Sequence, residues 1–516
     1  MRIAIRTDSS VNIGSGHLIR CLTLANELRR RGVTVIFICR ELPGNLINKI
    51  VDCAHYVHRL AAPPLTTKFT TSDLNNQYAA WLAVTVEHDA QETKAILSAN
   101  SCDWLIVDHY ALDRAWEQLI RPYVNKILVI DDLANRHHDC DLLLDQNYFK
   151  TESLRYKEKV PPLCKCLLGP RYALLQSEYA QLRSIIPPRD GHIFRILVFF
   201  GSVDPTNQTA KVLTALTAAS LAQLGIDLVI GANHHDFATI EKLAAMRPAT
   251  FVHTNLPSLA GLMIRADLAI GAGGATTWER LCLGLPTIAV IIAENQQEFT
   301  AALTAENYQL SIPNGMLATT TDWQQLISGL IAQPQLIAQV AKKAKSVVDG
   351  LGTQRVAAIL LGNDALRLKI RAMNRNDDEL LFTWVNDPEV RKQSFQQKII
   401  SAAEHTKWFA KKLLDPNCIM LLGEDDYGLP LGQVRFEIDK TRREALISIS
   451  VEPTIRGMGV AKTLLRQALD YWATSAPNIK LIAEIRNENI HSQRLFLSLN
   501  FTPGIPRRKG SQLFEL

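Results

Sequence analysis

The sequence predicts an α/β protein in which two successive α/β domains with parallel sheets precede a third, α+β domain. Over residues 1–185 short apolar strands alternate with helical patterns, and a second alternation begins at Arg195. Beyond Gly362 apolar and charged residues alternate within strands, which is typical of antiparallel sheets with one solvated face. The predicted domains span residues 1–188, 189–363 and 364–516.

Composition narrows the class of protein. The chain has 516 residues, of which 47% are hydrophobic and 21% charged, values that are ordinary for a globular protein in water. A net charge of +5 without a long basic run argues against a nucleic-acid partner, and no apolar run approaches the roughly 18 residues that span a membrane. Nine cysteines form no C-x-x-C pair, and the chain begins directly in a strand without the pattern of a signal peptide. We expect a cytoplasmic protein without a membrane partner.

The first informative stretch is a turn between a strand and a helix. Gly14, Gly16 and His17 follow the strand Arg2–Asp8 and begin a helical pattern that stops at Gly32. Unpaired backbone N–H groups and the helix dipole favour an anion at such a turn, and a neutral imidazole there can take a proton. An ordinary tight turn with an incidental histidine is the alternative.

Two further strands end in acidic residues. Trp104–Asp108 and Lys126–Asp132 are both apolar until their last positions. Because ligands of parallel sheets bind beyond the carboxyl ends of the strands, we expect these carboxylates to gather near Gly14–His17. For Asp131-Asp132 we favour hydrogen bonding at the sheet edge over metal binding.

A second glycine-rich turn lies in the second α/β domain. Gly273 and Gly274 follow an apolar strand and precede a helix, so a second anion site is expected. Thr276 and Thr277 can cap that helix, and Glu279, one turn inside, can accept two hydrogen bonds from a ribose diol. The alternative is a capped helix with a solvated glutamate.

These motifs, with others in the same order, resemble the UDP-sugar hydrolases of pseudaminic acid biosynthesis, which have a GT-B fold of two Rossmann-type domains. The resemblance covers roughly residues 1–355, and its additional motifs are Tyr78–Leu82, Asp131–Leu133, Phe200–Ser202, Asn255-Leu256 and Glu294–Gln296. It implies hydrolysis of UDP-2,4-diacetamido-2,4,6-trideoxy-β-L-altropyranose to UDP and free sugar. Water attacks the anomeric carbon with inversion. Ser202 stands where the family often has a second glycine.

The same resemblance assigns residues. It makes His17 the catalytic base and gives the sugar contacts to Tyr78 and Asn255. The uridine and ribose contacts fall around Glu279, Asn295 and Gln296. Backbone donors beside the four glycines can stabilise the leaving diphosphate, so no metal is expected; those glycines are Gly14, Gly16, Gly273 and Gly274.

The last domain carries a third glycine loop. Arg456-Gly457-Met458-Gly459-Val460-Ala461 lies between a strand and a helix and can wrap a pyrophosphate with backbone N–H groups. With the strands around it, this loop resembles the GNAT acetyltransferase superfamily over residues 366–516. The resemblance implies acetyl-CoA as co-substrate, with contacts from Val451, Arg456, Gly457, Gly459, Val460, Ala461, Asn489 and Ser492. Phe496 replaces the usual tyrosine acid, and Glu452 or Glu484 acting through water is a hypothesis for the base.

Together the two resemblances predict a bifunctional enzyme. It would N-acetylate the 4-amino group of a UDP-linked amino sugar with acetyl-CoA and then hydrolyse the product. Two alternatives stay open at this point: a GT-B glycosyltransferase fused to a GNAT domain, and a non-catalytic nucleotide-sugar-binding protein.

Overall fold

The computed structural model describes residues 1–62, 77–201, 204–231, 234–362, 367–475 and 479–516, with only the backbone of residue 153. Ser202 and Asp364, which the sequence singled out, lie outside these residues. The chain divides into two compact units, Met1–Val356 and Ala357–Leu516. The predicted boundaries at 188/189 and 363/364 stay predictions.

The first sheet of the first unit is entirely parallel. Among the described residues its seven strands follow the order β3-β2-β1-β4-β5-β6-β7. The strands are β1 Arg2–Thr7, β2 Thr34–Arg40, β3 Tyr56–Leu60, β4 Trp104–Asp108, β5 Lys126–Ile130, β6 Leu142–Asp145 and β7 Lys165–Leu168. The order reverses between β1 and β4, and this is the point at which a parallel sheet opens a crevice for a ligand.

The helices that connect these strands are α1 Gly16–Arg30, α2 Ile47–Asp52, α3 Val86–Ala99, α4 Arg114–Ile120, α5 Glu152–Arg155 and α6 Ser177–Ile185. Helix α1 forms because apolar residues from Leu18 to Leu28 recur on one buried face. It ends at Arg30, after which Gly32 adopts a positive φ of 83°. The residue preceding α1, Ser15, makes no side-chain cap, so the first turn keeps backbone N–H groups for other partners.

The second sheet repeats this design. Within the described part of the first unit it has six parallel strands in the order β10-β9-β8-β11-β12-β13. These are β8 Arg195–Phe199, β9 Gly225–Val229, β10 Thr250–His253, β11 Leu268–Ala272, β12 Thr287–Val290 and β13 Leu310–Ser311. Its helices are α7 Gln208–Leu216, α8 Phe237–Ala245, α9 Ala260–Arg265, α10 Thr276–Cys282, α11 Gln297–Ala305, α12 Thr320–Ile331, α13 Pro334–Lys345 and α14 Gly352–Leu361. The dividing point between the two units falls within α14.

The second unit contains a mixed sheet. Its described strands are β14 Leu368–Ala372, β15 Cys418–Asp425, β16 Pro430–Asp439, β17 Glu444–Val451, β18 Lys480–Arg486, β19 Thr502–Gly504 and β20 Ser511–Glu515, in the order β14-β15-β16-β17-β18-β20-β19. The helices are α15 Asp378–Val385, α16 Pro388–Gln393, α17 Ala402–Leu413, α18 Val460–Ser475 and α19 Ile490–Leu497.

One strand pair in this sheet is parallel and splayed. Strands β17 and β18 pair only from Glu444 to Leu446, whereas β17 pairs with β16 along its whole length. Residues 447–451 of β17 therefore have a strand on one side and, among the described residues, no strand on the other. This leaves backbone N–H and C=O groups open beside the loop that begins at Arg456.

The fold class that the sequence predicts is confirmed. The described residues form three sheets in the predicted order, the first two parallel and the third largely antiparallel. None of the described helices is long and apolar enough to cross a membrane.

Candidate active site

A cavity of about 550 Å³ opens in the first unit, between segments that follow the strands of its two parallel sheets. From the first sheet come residues that follow β1, β4, β5 and β6, among them Gly16, His17, Arg20, Tyr110 and Asp132. From the second sheet come residues that follow β11 and β12, among them Gly273, Gly274, Asn295 and Gln296. Tyr78 and Trp81 form part of the wall. Seven of the eleven predicted residues of the hydrolase site therefore share one cavity.

His17 is held by a carboxylate from a neighbouring strand. It is the second residue of α1, it is buried, and its Nδ1 lies 2.6 Å from Oδ1 of Asp108 at the end of β4. A carboxylate can only accept a hydrogen bond, so Nδ1 carries the proton and Nε2 keeps a lone pair. Among the described residues Nε2 has no hydrogen-bond partner. This is the tautomer that a general base needs.

Asp108 is itself fixed by Arg20, one turn further along α1. Nε and Nη2 of Arg20 each donate to one carboxylate oxygen of Asp108, at 2.7 Å. Burial would raise the pKa of Asp108, but the Arg20 guanidinium and His17 hold it well below its usual range. Asp108 is therefore an ionised carboxylate, and both of its oxygens accept hydrogen bonds.

Aromatic rings enclose His17. The Tyr110 ring meets it edge-on with centroids 4.5 Å apart, and Trp81 lies at 6.2 Å. Tyr78 packs edge-on against both Trp81 and Tyr110, at 4.7 and 5.0 Å. Burial raises the pKa of Tyr78, so this side chain stays a neutral hydroxyl at ordinary pH. The wall excludes water from most of the imidazole while leaving it a face on the cavity.

The opposite wall of the cavity is formed by the backbone of Gly273 and Gly274 and by the side-chain amides of Asn295 and Gln296. A Cβ on Gly273 would lie 2.2 Å from Oγ1 of Thr300, so only glycine fits at this position. The Thr300 hydroxyl is buried and has no hydrogen-bond partner among the described residues. Gln296 is fixed because its Oε1 accepts from the backbone N–H of Ile292 at 3.1 Å.

Four predicted residues do not line the cavity. Gly14 turns the chain with φ of 80° and donates its N–H to Ser10, and Asn255 is exposed after β10 with φ of 53°. Glu279 has a buried Oε2 without a described partner, and burial raises its pKa to about 7. Thr276 is the first residue of α10 and partly buried.

The predicted threonine cap is wrong. The residue preceding α10 is Ala275, which is already helical at φ −54° and ψ −34°, and no side chain caps the helix. Thr276 and Thr277 therefore lie inside the first turn, and Thr277 instead accepts a hydrogen bond from Arg280 at 3.0 Å.

Asp131 and Asp132 are engaged by basic and polar side chains. Asp131 pairs with Arg136 at 2.7 Å, and Asp132 pairs with Arg20 at 2.8 Å. Burial would raise the pKa of Asp131, but Arg136 and other partners lower it to about 2. In the part of the chain that the structure describes, no three histidine, cysteine or acidic side chains are placed to hold a metal ion.

In the second unit the predicted cofactor loop has the required backbone. Gly457 and Gly459 adopt φ of 83° and 71°, and α18 begins at Val460. Arg456 donates from Nε to the carbonyl of Val451 at 3.3 Å, which ties the loop to the open end of β17. A Cβ at Gly457 would meet nothing within 4 Å, so the space beside its peptide is open.

The residues near the predicted acetyl-transfer centre differ in the hydrogen bonds and packing contacts that hold them. Asn489 precedes α19 and accepts from the N–H of Ser492 at 3.1 Å, while Phe496 packs edge-on against Phe501. Glu452 is buried, with its two oxygens accepting from Trp384 and Thr454, both at 2.6 Å.

Both carboxylates that the sequence offers as a base are thus engaged by other side chains. Glu484 accepts from Ser511 at 2.9 Å and pairs with Arg508 at 3.3 Å, and it lines a separate cavity of about 540 Å³ in the same unit.

The matches to known proteins divide the chain in the same way. Residues 367–502 match the acetyltransferase (GNAT) domain family. The splayed β17–β18 pair and the Arg456–Ala461 loop lie within this segment. The second unit thus carries a GNAT domain, as the sequence predicts.

Other similar proteins also match the residues that precede the GNAT segment. An uncharacterized protein of Methanocaldococcus jannaschii is 24% identical over 532 aligned positions that cover 100% of both chains. A UDP-2,4-diacetamido-2,4,6-trideoxy-β-L-altropyranose hydrolase of Campylobacter jejuni is 24% identical over 311 residues, covering 60% of this chain and 98% of its own. Among solved structures, MurG of Acinetobacter baumannii covers 70% of this chain and 99% of its own with 15% identity and a TM-score of 0.48.

The sequence placed Asp108 near Gly14–His17, and this expectation is confirmed, but it assigned no role to Arg20, Tyr110 or Trp81. Arg20 has one sequence signal, since residues three apart on a helix share a face and Arg20 follows His17 by three. The pairing of Asp108 with His17 depends on β1 and β4 being neighbours, which no local pattern specifies.

Proposed function

We propose that the chain is a bifunctional enzyme of pseudaminic acid biosynthesis that acts in the cytoplasm. Its first unit hydrolyses UDP-2,4-diacetamido-2,4,6-trideoxy-β-L-altropyranose to UDP and free sugar. Its second unit N-acetylates the 4-amino group of the preceding UDP-sugar with acetyl-CoA. The observation that carries the hydrolase proposal is the His17–Asp108 pair, with Nδ1 protonated and Nε2 unpaired, in a cavity between two sheets. Similarity to the Campylobacter jejuni hydrolase supports the choice of substrate.

The hydrolytic step uses one water and one base. The water oxygen attacks the anomeric carbon while the bond from that carbon to the diphosphate oxygen breaks, and UDP leaves with the electron pair. Nε2 of His17 takes a proton from the attacking water, and Asp108 stabilises the imidazolium that forms. Attack opposite to the leaving group inverts the anomeric configuration. General base catalysis of this kind typically contributes roughly 10²- to 10⁴-fold.

The nucleotide side of the cavity suits a diphosphate and a sugar. Gly273 and Gly274 bring backbone close to the cavity. The N–H of Gly273 donates to the carbonyl of Val290 at 3.1 Å, so the peptide N–H groups that follow it are the donors that we propose for the phosphate oxygens. The buried, unpartnered Thr300 hydroxyl beside Gly273 offers one more donor. The amides of Asn295 and Gln296 can bind uridine, ribose or sugar hydroxyls. UDP is a good leaving group, so these donors mainly have to orient it.

The acetyl transfer uses the loop and the open strand of the second unit. Backbone N–H groups from Gly457 to Ala461 hold the pyrophosphate of acetyl-CoA, and β17 beyond Leu446 offers hydrogen bonds to its pantetheine arm. The acceptor amine attacks the thioester carbonyl carbon, the carbon–sulfur bond breaks, and coenzyme A leaves as a thiolate that takes a proton from solvent. We propose Glu484 as the group that takes the amine proton through water.

Assays with the purified full-length protein test both activities. We expect UDP release from the diacetamido UDP-sugar without any added acceptor, and incorporation of one ¹⁸O atom from labelled water into the sugar. A requirement for a second sugar or lipid acceptor would instead support a glycosyltransferase. Tight UDP-sugar binding without UDP release would support a non-catalytic binding protein. Acetyl-CoA consumption with the 4-amino UDP-sugar tests the second unit separately.

A further inference from the structure

A continuous set of hydrogen bonds starts on the nucleotide side of the cavity. Nδ2 of Asn295, in the segment after β12, lies 3.2 Å from the Tyr110 hydroxyl, which belongs to the first sheet. That hydroxyl donates to Oδ2 of Asp132 at 2.8 Å. Tyr110 is buried, and Asn295 lines the cavity, so this link joins the two walls directly.

The same set of bonds continues to the base. Asp132 accepts from Nη1 of Arg20 at 2.8 Å, while Nε and Nη2 of Arg20 donate to the two oxygens of Asp108. Asp108 in turn orients His17 at 2.6 Å. One guanidinium therefore connects the carboxylate that contacts the base with the carboxylate that contacts the opposite wall.

We propose that Arg20 is a positioning residue for the His17–Asp108 pair, and that the Tyr110 hydroxyl transmits the position of Asn295 to it. This inference rests on the proposed hydrolase function. When the segment that carries Asn295 is seated on a nucleotide, its bond to Tyr110 keeps Asp132 and Arg20 in place, so the base is aligned when the leaving group is bound.

The first experiment measures kcat and KM for UDP release in wild type and Arg20→Lys. We expect kcat to fall roughly ten- to a hundredfold, because lysine cannot donate to both oxygens of Asp108 as the guanidinium does. We expect KM to stay within about threefold, because lysine keeps the positive charge at the cavity wall. A folded variant with unchanged kcat, or one that loses only KM, would overturn the positioning role.

The second experiment is a double-mutant cycle with Tyr110→Phe, which keeps the ring against His17 and removes only the hydroxyl. If Arg20 and Tyr110 act as one unit, the double variant loses no more activity than the worse single variant. Multiplied losses would overturn the connection. Tyr156→Phe is the matched control, because its hydroxyl also bonds an aspartate, Asp131, but lies outside the cavity lining. We expect its kcat within threefold of wild type, and a tenfold loss there would assign the Tyr110 effect to general structure.

A third measurement does not depend on turnover. Nitrogen NMR of the imidazoles, assigned with a His17→Gln variant, reports which ring nitrogen carries the proton. We expect the Nδ1–H form in wild type and a mixture of forms in Arg20→Lys. An unchanged tautomer in that variant would overturn the inference even if wild type released no UDP. Conversely, a changed tautomer with a wild type that does not hydrolyse would refute the proposed function alone.

Discussion

Nδ1 of His17 and Oδ1 of Asp108 lie 2.6 Å apart although 91 positions separate the two residues. Asp108 pairs in register with Thr7, the last residue of β1, and the chain then reaches His17 within ten residues. The neighbouring positions of β1 and β4 thus bring an acid and a base together at the carboxyl edge of the sheet. Catalytic geometry here is a consequence of strand order.

We expect His17→Ala to lower kcat for UDP release by roughly 10²- to 10⁴-fold, the contribution of a general base, while UDP affinity stays nearly unchanged. Steady-state kinetics and calorimetry with UDP measure the two quantities. His137→Ala, which changes an exposed histidine outside the cavity, is the control and should keep full activity. Turnover of His17→Ala within tenfold of wild type would refute the role of general base.

Asp108→Asn should also be severely impaired, although the substitution only replaces one carboxylate oxygen by an NH₂ group. An amide no longer fixes the proton on Nδ1, so we expect kcat to fall on the order of 10²- to 10⁴-fold. Arg20 is left without its buried carboxylate, and a cost of about 3 kcal/mol in unfolding free energy is expected. Kinetics and denaturant unfolding check both. A folded Asp108→Asn enzyme with normal kcat would show that His17 needs no orienting partner.

The local pattern of apolar and polar residues was sufficient to predict most of the fold. The strand Trp104–Asp108 has the predicted bounds, because it is a short apolar run between polar or turn residues. Strands β6 and β7 were not predicted, since four residues each are too few for a periodic signal. The glycine turns were found because their backbone requirement is local.

The site was predictable where a motif is contiguous, and where strand ends share one edge of a parallel sheet, as for Asp108 near His17. Gly16 and His17 sit together in sequence, and so do Gly273 and Gly274. The pairing of Asp108 with His17 needs tertiary structure. The missing cap at Thr276 has a different cause, since Ala275 had already entered helical geometry.

Glu279 should make both stability and UDP affinity depend on pH. Burial raises its pKa to about 7, above its unfolded value of about 4.3. The native state then binds the proton more tightly, so this contribution to stability is complete below about pH 4 and is lost as pH rises through 7. The full loss is about 4 kcal/mol. Glu279→Gln should remove this dependence, so the variant gains stability relative to wild type between pH 5 and pH 8, measured by denaturant unfolding.

The ligand side of this prediction has the opposite sign. The sequence resemblance assigns the ribose to Glu279, and an ionised carboxylate there would accept two ribose hydroxyls. If this assignment holds, UDP binds wild type more tightly at pH 8 than at pH 6. The difference should be absent in Glu279→Gln, whose affinity falls by about 1–3 kcal/mol at pH 8. Isothermal calorimetry at both pH values measures this. Equal UDP affinity of wild type and Glu279→Gln at pH 8 would place the ribose elsewhere.

Gly457→Trp should abolish acetyl transfer without affecting hydrolysis. The open space beside Gly457 is where a pyrophosphate would approach the backbone, and an indole there would block two or more charge-assisted hydrogen bonds. Losing two such bonds costs about 3–4 kcal/mol, so kcat/KM for acetyl-CoA should fall at least about a hundredfold. Gly428→Trp is the matched control. Gly428 has φ of 80° against 83° for Gly457, it also has nothing within 4 Å, it is likewise exposed, and it belongs to the β15–β16 turn rather than to the Arg456–Ala461 loop.

The two glycine variants separate strain from ligand contact. Both impose a similar backbone cost on the same unit, because a non-glycine residue at such φ is strained in either place. If both lose acetyl transfer equally, strain rather than cofactor contact explains the loss, and the loop is not the acetyl-CoA site. If Gly457→Trp alone loses it, the cofactor assignment stands. UDP release from the pre-acetylated sugar should be unchanged in both variants, since His17 and its cavity belong to the first unit. Loss of hydrolysis in a folded Gly457→Trp protein would show instead that the two activities are coupled.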